Sequence, residues 1–530
     1  MPYSNYVCTT PQKSPLAHKQ QVQNNAGGYV FAVDKWARLE RFLILGSDAN
    51  TYYQSAPALT RENAACVIEC FEEDARRASQ LITMITREGR APRRNPALFA
   101  LALASVHTSD EIRRSAFSAV VPCCQTASSL FLWMRYRKEL GGGSGPAFKR
   151  TLACWYESRD NAALAFQMIK YREREGFTHK RAIELCGKGW GSSIERGSLY
   201  RWARGKDFNA AWSPMQLQAF IKVQDPTAKN VPEIVERFRL PWEALPTELL
   251  RDPKVWHALI PHMGLTGLIL SLGRMTNIEA ITRKDYQRVI ERIVNEDNIR
   301  AAKVHPLTLL LTQKLYADGH GLKGNLTWNP IGAVVDALDT AFYLSFRATE
   351  PTSKRYLLAL DVSGSMTARL PNSSLTCREA SAAMALVTMA NEPLCDVVGF
   401  TAGGGYWGGR TELKALDISP KDRLDQAVKK ISRLSFGRTD CALPMTWARK
   451  EDRSYDAIVV YTDNETHSGS IHPCTALRTY RKEMKLDTKL AVVGMTSTSF
   501  SIADPSDFGM RDFVGFDSAA PAVMADFFRN

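Results

Sequence analysis

The run Asp361-Val362-Ser363-Gly364-Ser365 follows a short apolar stretch, Tyr356–Leu360, and sets one carboxylate and two hydroxyls at alternate positions. In a turn leaving a strand, that spacing lets three hard oxygen donors converge on one point. Asp463, in Thr462-Asp463-Asn464-Glu465, closes a second apolar run, Ala457–Tyr461, and Thr439 lies in the loop Gly437-Arg438-Thr439-Asp440. Two carboxylates and three hydroxyls suit an octahedral, oxygen-only site for Mg²⁺, with Mn²⁺ as the second choice, and leave positions open for water or an outside ligand. Covalent catalysis does not suit the same loop. An aspartyl phosphatase wants a second carboxylate where Ser363 stands, and a serine-hydrolase elbow needs Gly-x-Ser-x-Gly. The sequence offers no convincing general base or second metal beside the first, so no enzymatic activity is expected. Gly403-Gly404-Gly405-Tyr406-Trp407-Gly408 satisfies GxGxxG literally, but no apolar helix opens there and it reads as a flexible loop. Gly141-Gly142-Gly143-Ser144-Gly145 lacks the Lys-Ser/Thr ending of a phosphate cradle and reads as a hinge or insertion.

A second constellation is cationic. Within residues 164–188, Lys170, Arg172, Arg174, Lys180 and Arg181 alternate with Tyr171, Phe177 and His179. Lys170 and Arg174, at i and i+4, are expected on one helix face. A break at Gly176 is expected to project His179 and Lys180 from the start of the next helix, whose first-turn amides attract phosphate. Cations for the backbone, with aromatic or imidazole faces for unpaired bases, make an RNA surface. The alternative is a solvated face that pairs with Glu173 and Glu175. His107, His257, His262, His305 and His320 lack ligand spacing, and Cys66 and Cys70 read as buried helix positions.

Two kinds of element must position these residues. From about 34 to 345 apolar residues recur at i, i+3, i+4, as in Leu152, Trp155, Tyr156 and in Leu268, Ile269, Leu272, Met275. Breaks at Gly89–Pro96, Gly141–Pro146 and Gly187–Gly191 divide the stretch into helical hairpins, which predicts an all-α helical-repeat solenoid. Beyond Glu350-Pro351 short apolar runs (Tyr356–Leu360, Asp396–Phe400, Ala457–Tyr461, Leu490–Met495, Phe513–Phe516) alternate with helical stretches such as Arg378–Asn391, Lys421–Arg433 and Thr475–Met484. That alternation predicts an α/β doubly wound parallel sheet, with the ligand crevice beyond the carboxyl ends of its strands. The expected divisions are a flexible or irregular arm over 1–28, a helical domain over 29–350 and an α/β domain over 351–530.

The 530 residues carry 68 Lys+Arg against 55 Asp+Glu, a net +13. Residues 351–530 contribute only +1, whereas residues 131–207 alone carry 16 basic against 8 acidic side chains. A localised positive field favours a polyanion, RNA or DNA before membrane. The eleven cysteines include no CxxC pair, the first residues do not form a secretory signal, and no apolar stretch reaches membrane-spanning length. These features lead to the expectation of a cytoplasmic chain with no membrane partner.

The oxygen constellation resembles the metal-ion-dependent adhesion site (MIDAS) of von Willebrand factor A-type domains, with Asp361, Ser363, Ser365, Thr439 and Asp463 matching its five positions. Longer stretches resemble the Ro 60 kDa autoantigen family, in particular its bacterial members: YREREGFTHK (171–180), HPLTLLLTQKLYADGHGLKGNLTW (305–328), ALDTAFYLSFRATEPTSKRYLLALDVSGSM (337–366), RTDCALPMTW (438–447), YTDNET (461–466) and GMTSTSFSIADPSDFGMRDFVGFD (494–517). The resemblance implies a TROVE module of HEAT-like repeats closed into a monomeric ring with the A-type domain. It implies a basic outer surface that binds Y RNA and a central hole that takes single-stranded 3′ ends of misfolded or damaged noncoding RNA. It further implies tethering, through Y RNA, of a 3′→5′ exoribonuclease of polynucleotide phosphorylase type. The family's Y-RNA segment carries over onto Lys170, Arg174, His179 and Lys180, within a basic stretch that also holds Arg172 and Arg181. Arg438 stands where relatives usually have Gly, which places a cation close to the metal loop. A competing reading is a metal-dependent scaffold whose A-type domain captures an acidic residue of a protein partner.

Overall fold

The computed structural model describes residues 9–46, 59–187, 193–282, 286–321, 325–346, 350–370, 375–402, 412–420, 422–423, 426–427, 430–431 and 437–530. The Gly403–Gly408 motif, most of the expected helix Lys421–Arg433 and most of the Gly187–Gly191 break lie outside them. Two compact units result: residues 1–66 with 346–530, and residues 67–345.

The first unit is built on a six-stranded sheet. Its strands are β5 (Tyr356–Asp361), β6 (Cys395–Thr401), β7 (Glu412–Ala415), β8 (Ala457–Thr462), β9 (Lys489–Gly494) and β11 (Met510–Val514). They run in the order β11-β9-β8-β5-β6-β7, and every pairing is parallel except that of β7 with β6. The near-continuous Leu, Val, Ile and Ala content of β5 and β8 follows from their central place, because helices cover both faces and every residue of the two strands is buried. The helix Cys377–Asn391 starts with a capping box, in which Thr376 and Glu379 satisfy each other's backbone amides. From β5 the chain goes first to β6 on one side and later to β8 on the other. The sheet therefore reverses direction between β5 and β8, and a crevice opens at their carboxyl ends.

The N-terminal residues correct the expected division of the chain. A small sheet joins β1 (Val22–Gln23), β2 (Tyr29–Ala32) and β10 (Phe500–Ser501): β1, from the expected arm, pairs with β2, and β2, from the start of the expected helical domain, pairs with β10 at the far end of the chain. Gln12 is fully buried. Its amide nitrogen donates to Asp440 Oδ1 at 2.7 Å and to the Ile471 carbonyl at 2.9 Å, and its oxygen accepts from Thr466 Oγ1 at 2.6 Å. Asn24 donates to the Asn464 and Thr466 carbonyls. Gly28 packs so tightly that a Cβ there would lie 1.9 Å from the Thr466 carbonyl oxygen. The helix Lys35–Leu45 is capped by Asp34, and its buried Arg41 makes two 2.7 Å bonds to the Asp512 carboxylate. The helical unit is thus 67–345, not 29–350, because the hydrogen bonds of Gln12, Asn24 and Arg41 tie the segments that hold them to the α/β unit.

In the second unit, alternate helices stack as helical repeats require. Ala75–Glu88 packs on Asp110–Cys123 and Asn95–Ala104 on Ala127–Glu139. Asp110–Cys123 in turn packs on Pro146–Glu157, and that helix on His179–Cys186. Aromatic contacts fix the layers, among them Phe99 edge-on to Tyr136 at 5.4 Å and Trp133 stacked on Phe148 at 5.6 Å. The last part of this unit returns to the first. His305 Nε2 bonds the Arg90 carbonyl at 3.0 Å, and Lys303 donates to the Arg87 carbonyl and lies against Gly89, whose φ is +71°. The expected helical repeat is present, and it forms a closed circuit of contacts. Among the described residues no helix is long and apolar enough to cross a membrane.

Candidate metal centre and basic hairpin

Asp361 is the last residue of β5, paired in register with Phe400, and Asp463 directly follows β8. Both sit at the crevice the topology creates. Past Asp361 the chain turns tightly: the Ser363 amide donates to Asp361 Oδ1 at 2.9 Å, and Gly364–Thr367 form a 3₁₀ turn. Ser363 and Ser365 hydroxyls lie 3.2 Å apart, and Ser365 also bonds Asp463. The Glu465 amide donates to Asp463 Oδ1 at 3.1 Å. Thr439 enters from a third loop, held by a two-way bridge between Arg438 and Ala402 and set beside the first loop by the Gly364 amide on the Gly437 carbonyl at 3.4 Å. All five expected ligands are buried. Arg438 contributes its backbone to the bridge while the residue itself stays exposed.

The electrostatics fit a cation. Burial pushes the Asp463 carboxyl up to about 8, and the neighbouring Asp361 carboxylate adds to the shift. Asp361 is itself raised by burial. Two carboxylates that disfavour each other's charge in a dry cleft, with three hydroxyls around them, are a donor set that a hard divalent cation satisfies. Three further residues support the cleft and were not singled out in the sequence. Thr462 donates to Asp361 Oδ2 at 2.7 Å, buried Arg378 donates to the Val362 carbonyl at 2.6 Å, and Gln12 holds the residue after Thr439. Thr462 precedes a candidate ligand and adjacency could have flagged it. Gln12, more than 400 residues away, left no signal.

The cationic stretch folds differently from its sequence expectation. Helix Asn161–Lys170 ends at Lys170, and a two-residue hairpin follows, β3 (Glu173–Arg174) against β4 (Phe177–Thr178). Glu175 (φ +56°) and Gly176 (φ +72°) make its turn. Lys170 and Arg174 therefore do not share a helix face: the helix stops before Arg174. Lys170 is half-buried, 3.7 Å from Glu243 and over the Phe166 and Tyr171 rings. Arg172 and Arg174 are exposed on the hairpin, with the Arg172 guanidinium 5.5 Å from the Phe220 ring centre. Lys180 and Arg181 are exposed in the first turn of His179–Cys186, capped by Thr178, and Arg181 lies 3.9 Å from Glu184. Among the described residues Arg172, Arg174 and Lys180 pair with no carboxylate. The alternative of pairing with Glu173 and Glu175 does not hold for them, since Glu175 pairs with Arg135.

His179 corrects its expectation. It begins its helix but does not project: it is 4% exposed, bonds the Tyr156 hydroxyl through Nδ1 at 2.8 Å, and sits edge-on to Phe131 and Tyr156. Burial lowers its pKa to about 3, so the ring is neutral and offers no face to an outside base.

A helical-repeat unit bearing an exposed cationic hairpin, joined to a doubly wound sheet with an oxygen-lined cleft at its switch point, defines a protein that pairs a TROVE module with a von Willebrand factor A-type domain. Residues 22–226 and 212–315 match the TROVE domain, and residues 355–528 match the Ro60 vWA domain. RNA-binding protein RO60 of Deinococcus radiodurans is 37% identical over 98% of this chain and 97% of its own length. RNA-binding protein RO60 of Caenorhabditis elegans is 32% identical over 98% and 91%. The crystal structure of the Deinococcus radiodurans RO (RSR) protein superposes with a TM-score of 0.68 at 36% identity, covering 94% of this chain and 99% of that one. The chain belongs to the Ro60 family.

Proposed function

We propose that this protein binds noncoding RNA without chemistry of its own, as a cytoplasmic quality-control factor. The observation that carries this reading is the set Arg172, Arg174 and Lys180, exposed and without carboxylate partners among the described residues, on and beside a short β-hairpin. Unpaired cations on a fixed scaffold release counterions from a phosphate backbone at little ordering cost. Two relatives named as RNA-binding proteins support the same direction. In this reading Y RNA lies on the hairpin surface, single-stranded 3′ ends of misfolded RNA are held elsewhere on the helical unit, and the assembly delivers RNA to a 3′→5′ exoribonuclease. Asp361, Ser363, Ser365, Thr439 and Asp463 would hold Mg²⁺, which would present an open coordination position to an outside oxygen. A second reading rests on that buried oxygen cleft, in which the bound ion captures an acidic side chain of a protein partner.

The test is an RNA shift titration across salt. For Arg172→Ala/Arg174→Ala/Lys180→Ala, affinity for a Y-type hairpin should fall and the log–log salt slope should lose about 2.7 for three duplex phosphate contacts. An unchanged slope would remove the hairpin from the interface. Turnover of labelled RNA by the purified protein with Mg²⁺ would end the non-catalytic reading.

A further inference from the structure

The polar bonds of the N-terminal segment converge on the two loops that bring Thr439 and Asp463 to the crevice. On the loop after β8 three successive residues are held. Asn24 donates to the Asn464 carbonyl at 3.2 Å and to the Thr466 carbonyl at 2.8 Å. The Glu465 carboxylate accepts from the Asn25 side chain and from the Ala26 amide at 3.1 Å, and Glu465 gives its own amide to Asp463 Oδ1. Gln12 joins this loop to the other one. Its side-chain oxygen accepts from Thr466 Oγ1 and from the Gly469 amide at 3.2 Å, while its nitrogen reaches Ile471 and Asp440, the residue after Thr439. All four hydrogen-bonding positions of one buried amide are thus spent on fastening the two loops. Across the same seam the Thr439 carbonyl accepts from the His467 and Ser468 amides, both at 3.1 Å. A Cβ at Gly469 would collide with Asp440 and Gln12 together, so the seam is closely fitted.

We propose that residues 12–28 form a strap whose docking is coupled to divalent-cation binding in the crevice, with Gln12 as a positioning residue. The inference rests on the reading that Asp361, Ser363, Ser365, Thr439 and Asp463 hold Mg²⁺. Gln12 bonds none of these side chains; it sets the distance between the backbones that carry Thr439 and Asp463. Mg²⁺ demands near-ideal octahedral geometry and tolerates little drift of its ligands. With the strap docked the two loops are already in place, and the ion does not bear the cost of ordering them. The strap is a surface element that can be lost without opening the main sheet: Lys13, Ser14, Pro15, Val22 and Gln23 are exposed, and Gln12, Asn24 and Gly28 are its buried anchors. Such a coupling is reciprocal. Whatever factor strap release takes from Mg²⁺ affinity, bound Mg²⁺ adds to strap docking.

The experiment uses the full chain and MgCl₂. Titration calorimetry compares the wild type with Gln12→Met, which keeps the shape of the side chain and removes its bonds. A control, Thr488→Val, removes a buried bond to the Tyr455 carbonyl at the opposite end of the sheet, just before β9 begins. Gln12→Met should bind Mg²⁺ about 10-fold more weakly, the lower end of what groups behind a metal's ligands contribute, and Thr488→Val should bind as the wild type does. Hydrogen exchange of the wild type needs no substitution. The Gln12, Gly28 and Tyr29 amides, which bond Gly469, Asn24 and Gln12, should exchange at least about 10-fold more slowly in saturating Mg²⁺ than with chelator. Asp463→Asn should lose that difference. Wild-type Mg²⁺ affinity in Gln12→Met, or strap amides that exchange alike with and without Mg²⁺, would overturn the proposal while leaving the metal site intact. An equal loss of affinity in Thr488→Val would also overturn it, because general destabilisation would then account for the effect. Failure of the wild type to bind Mg²⁺ at all would instead bring down the metal reading itself.

Discussion

His179 gives the sharpest prediction, because its environment fixes both sign and size. The imidazole is buried among Phe131 and Tyr156 and is held neutral, with a pKa near 3 against an ordinary 6.5. Below pH 6.5 the unfolded chain binds a proton there and the folded chain does not, so folded-state stability falls as pH falls. The loss is full only below pH 3, where 3.5 pH units correspond to about 5 kcal/mol, and at pH 5 it is about 2 kcal/mol. Histidine labelled at Cε1 with ¹³C gives one NMR signal per ring, and His179→Gln identifies the signal of interest. That signal should keep its neutral shift down to pH 5 in the folded protein. Urea unfolding at pH 7 and pH 5 should show the wild type losing about 2 kcal/mol more than His179→Gln. The same substitution should leave the salt slope of RNA binding unchanged, since a neutral ring releases no counterion. A titration midpoint near 6.5, or equal pH sensitivity in the two proteins, would refute the buried assignment.

Two further expectations concern the α/β unit. Asp463→Asn should stabilise the metal-free protein at pH 8, because it removes a carboxylate whose ionisation burial and Asp361 oppose, and should abolish the rise in melting temperature on adding Mg²⁺; differential scanning calorimetry with and without chelator reads both. Asp512→Ala leaves the Arg41 guanidinium buried beside carbonyl oxygens with no carboxylate partner, which costs on the order of 3–5 kcal/mol and should show as an earlier chemical unfolding transition.

The α/β half was readable because its rules are local. A run such as Leu357–Leu360 ending in Asp361 declares a buried parallel strand and the donor at its tip, and the loops after β5 and β8 met where the switch point required. Three features escaped for different reasons. The polar residues 12–28 have no period, and their order comes from Gln12 and Asn24 filling hydrogen-bond demands of loops beyond residue 438. The continuity of a helix through Arg174 failed because the helix ends at Lys170 and Glu173–Arg174 pair as a strand across a turn at Glu175 and Gly176, of which only the glycine signals a turn. His179 reads as exposed between Thr178 and Lys180, and only the packing of Phe131 and Tyr156 from other helices buries it. Local propensity places an element's start but cannot tell which of its faces a distant neighbour will cover.

The α/β unit is assembled from residues 1–66 and 346–530, so the helical unit is inserted within it. On a ribosome, Gln12, Asn24 and Arg41 emerge some 400 residues before the loops that satisfy them. At about 5–20 residues per second those partners follow roughly 20–90 s later. The inserted helices can settle during that interval, whereas Gln12, Asn24 and Arg41 must wait for their partners. A fragment starting at residue 346 would keep all six strands of the main sheet but lack Gln12, Asn24 and Arg41, which bond its loops and its last strand.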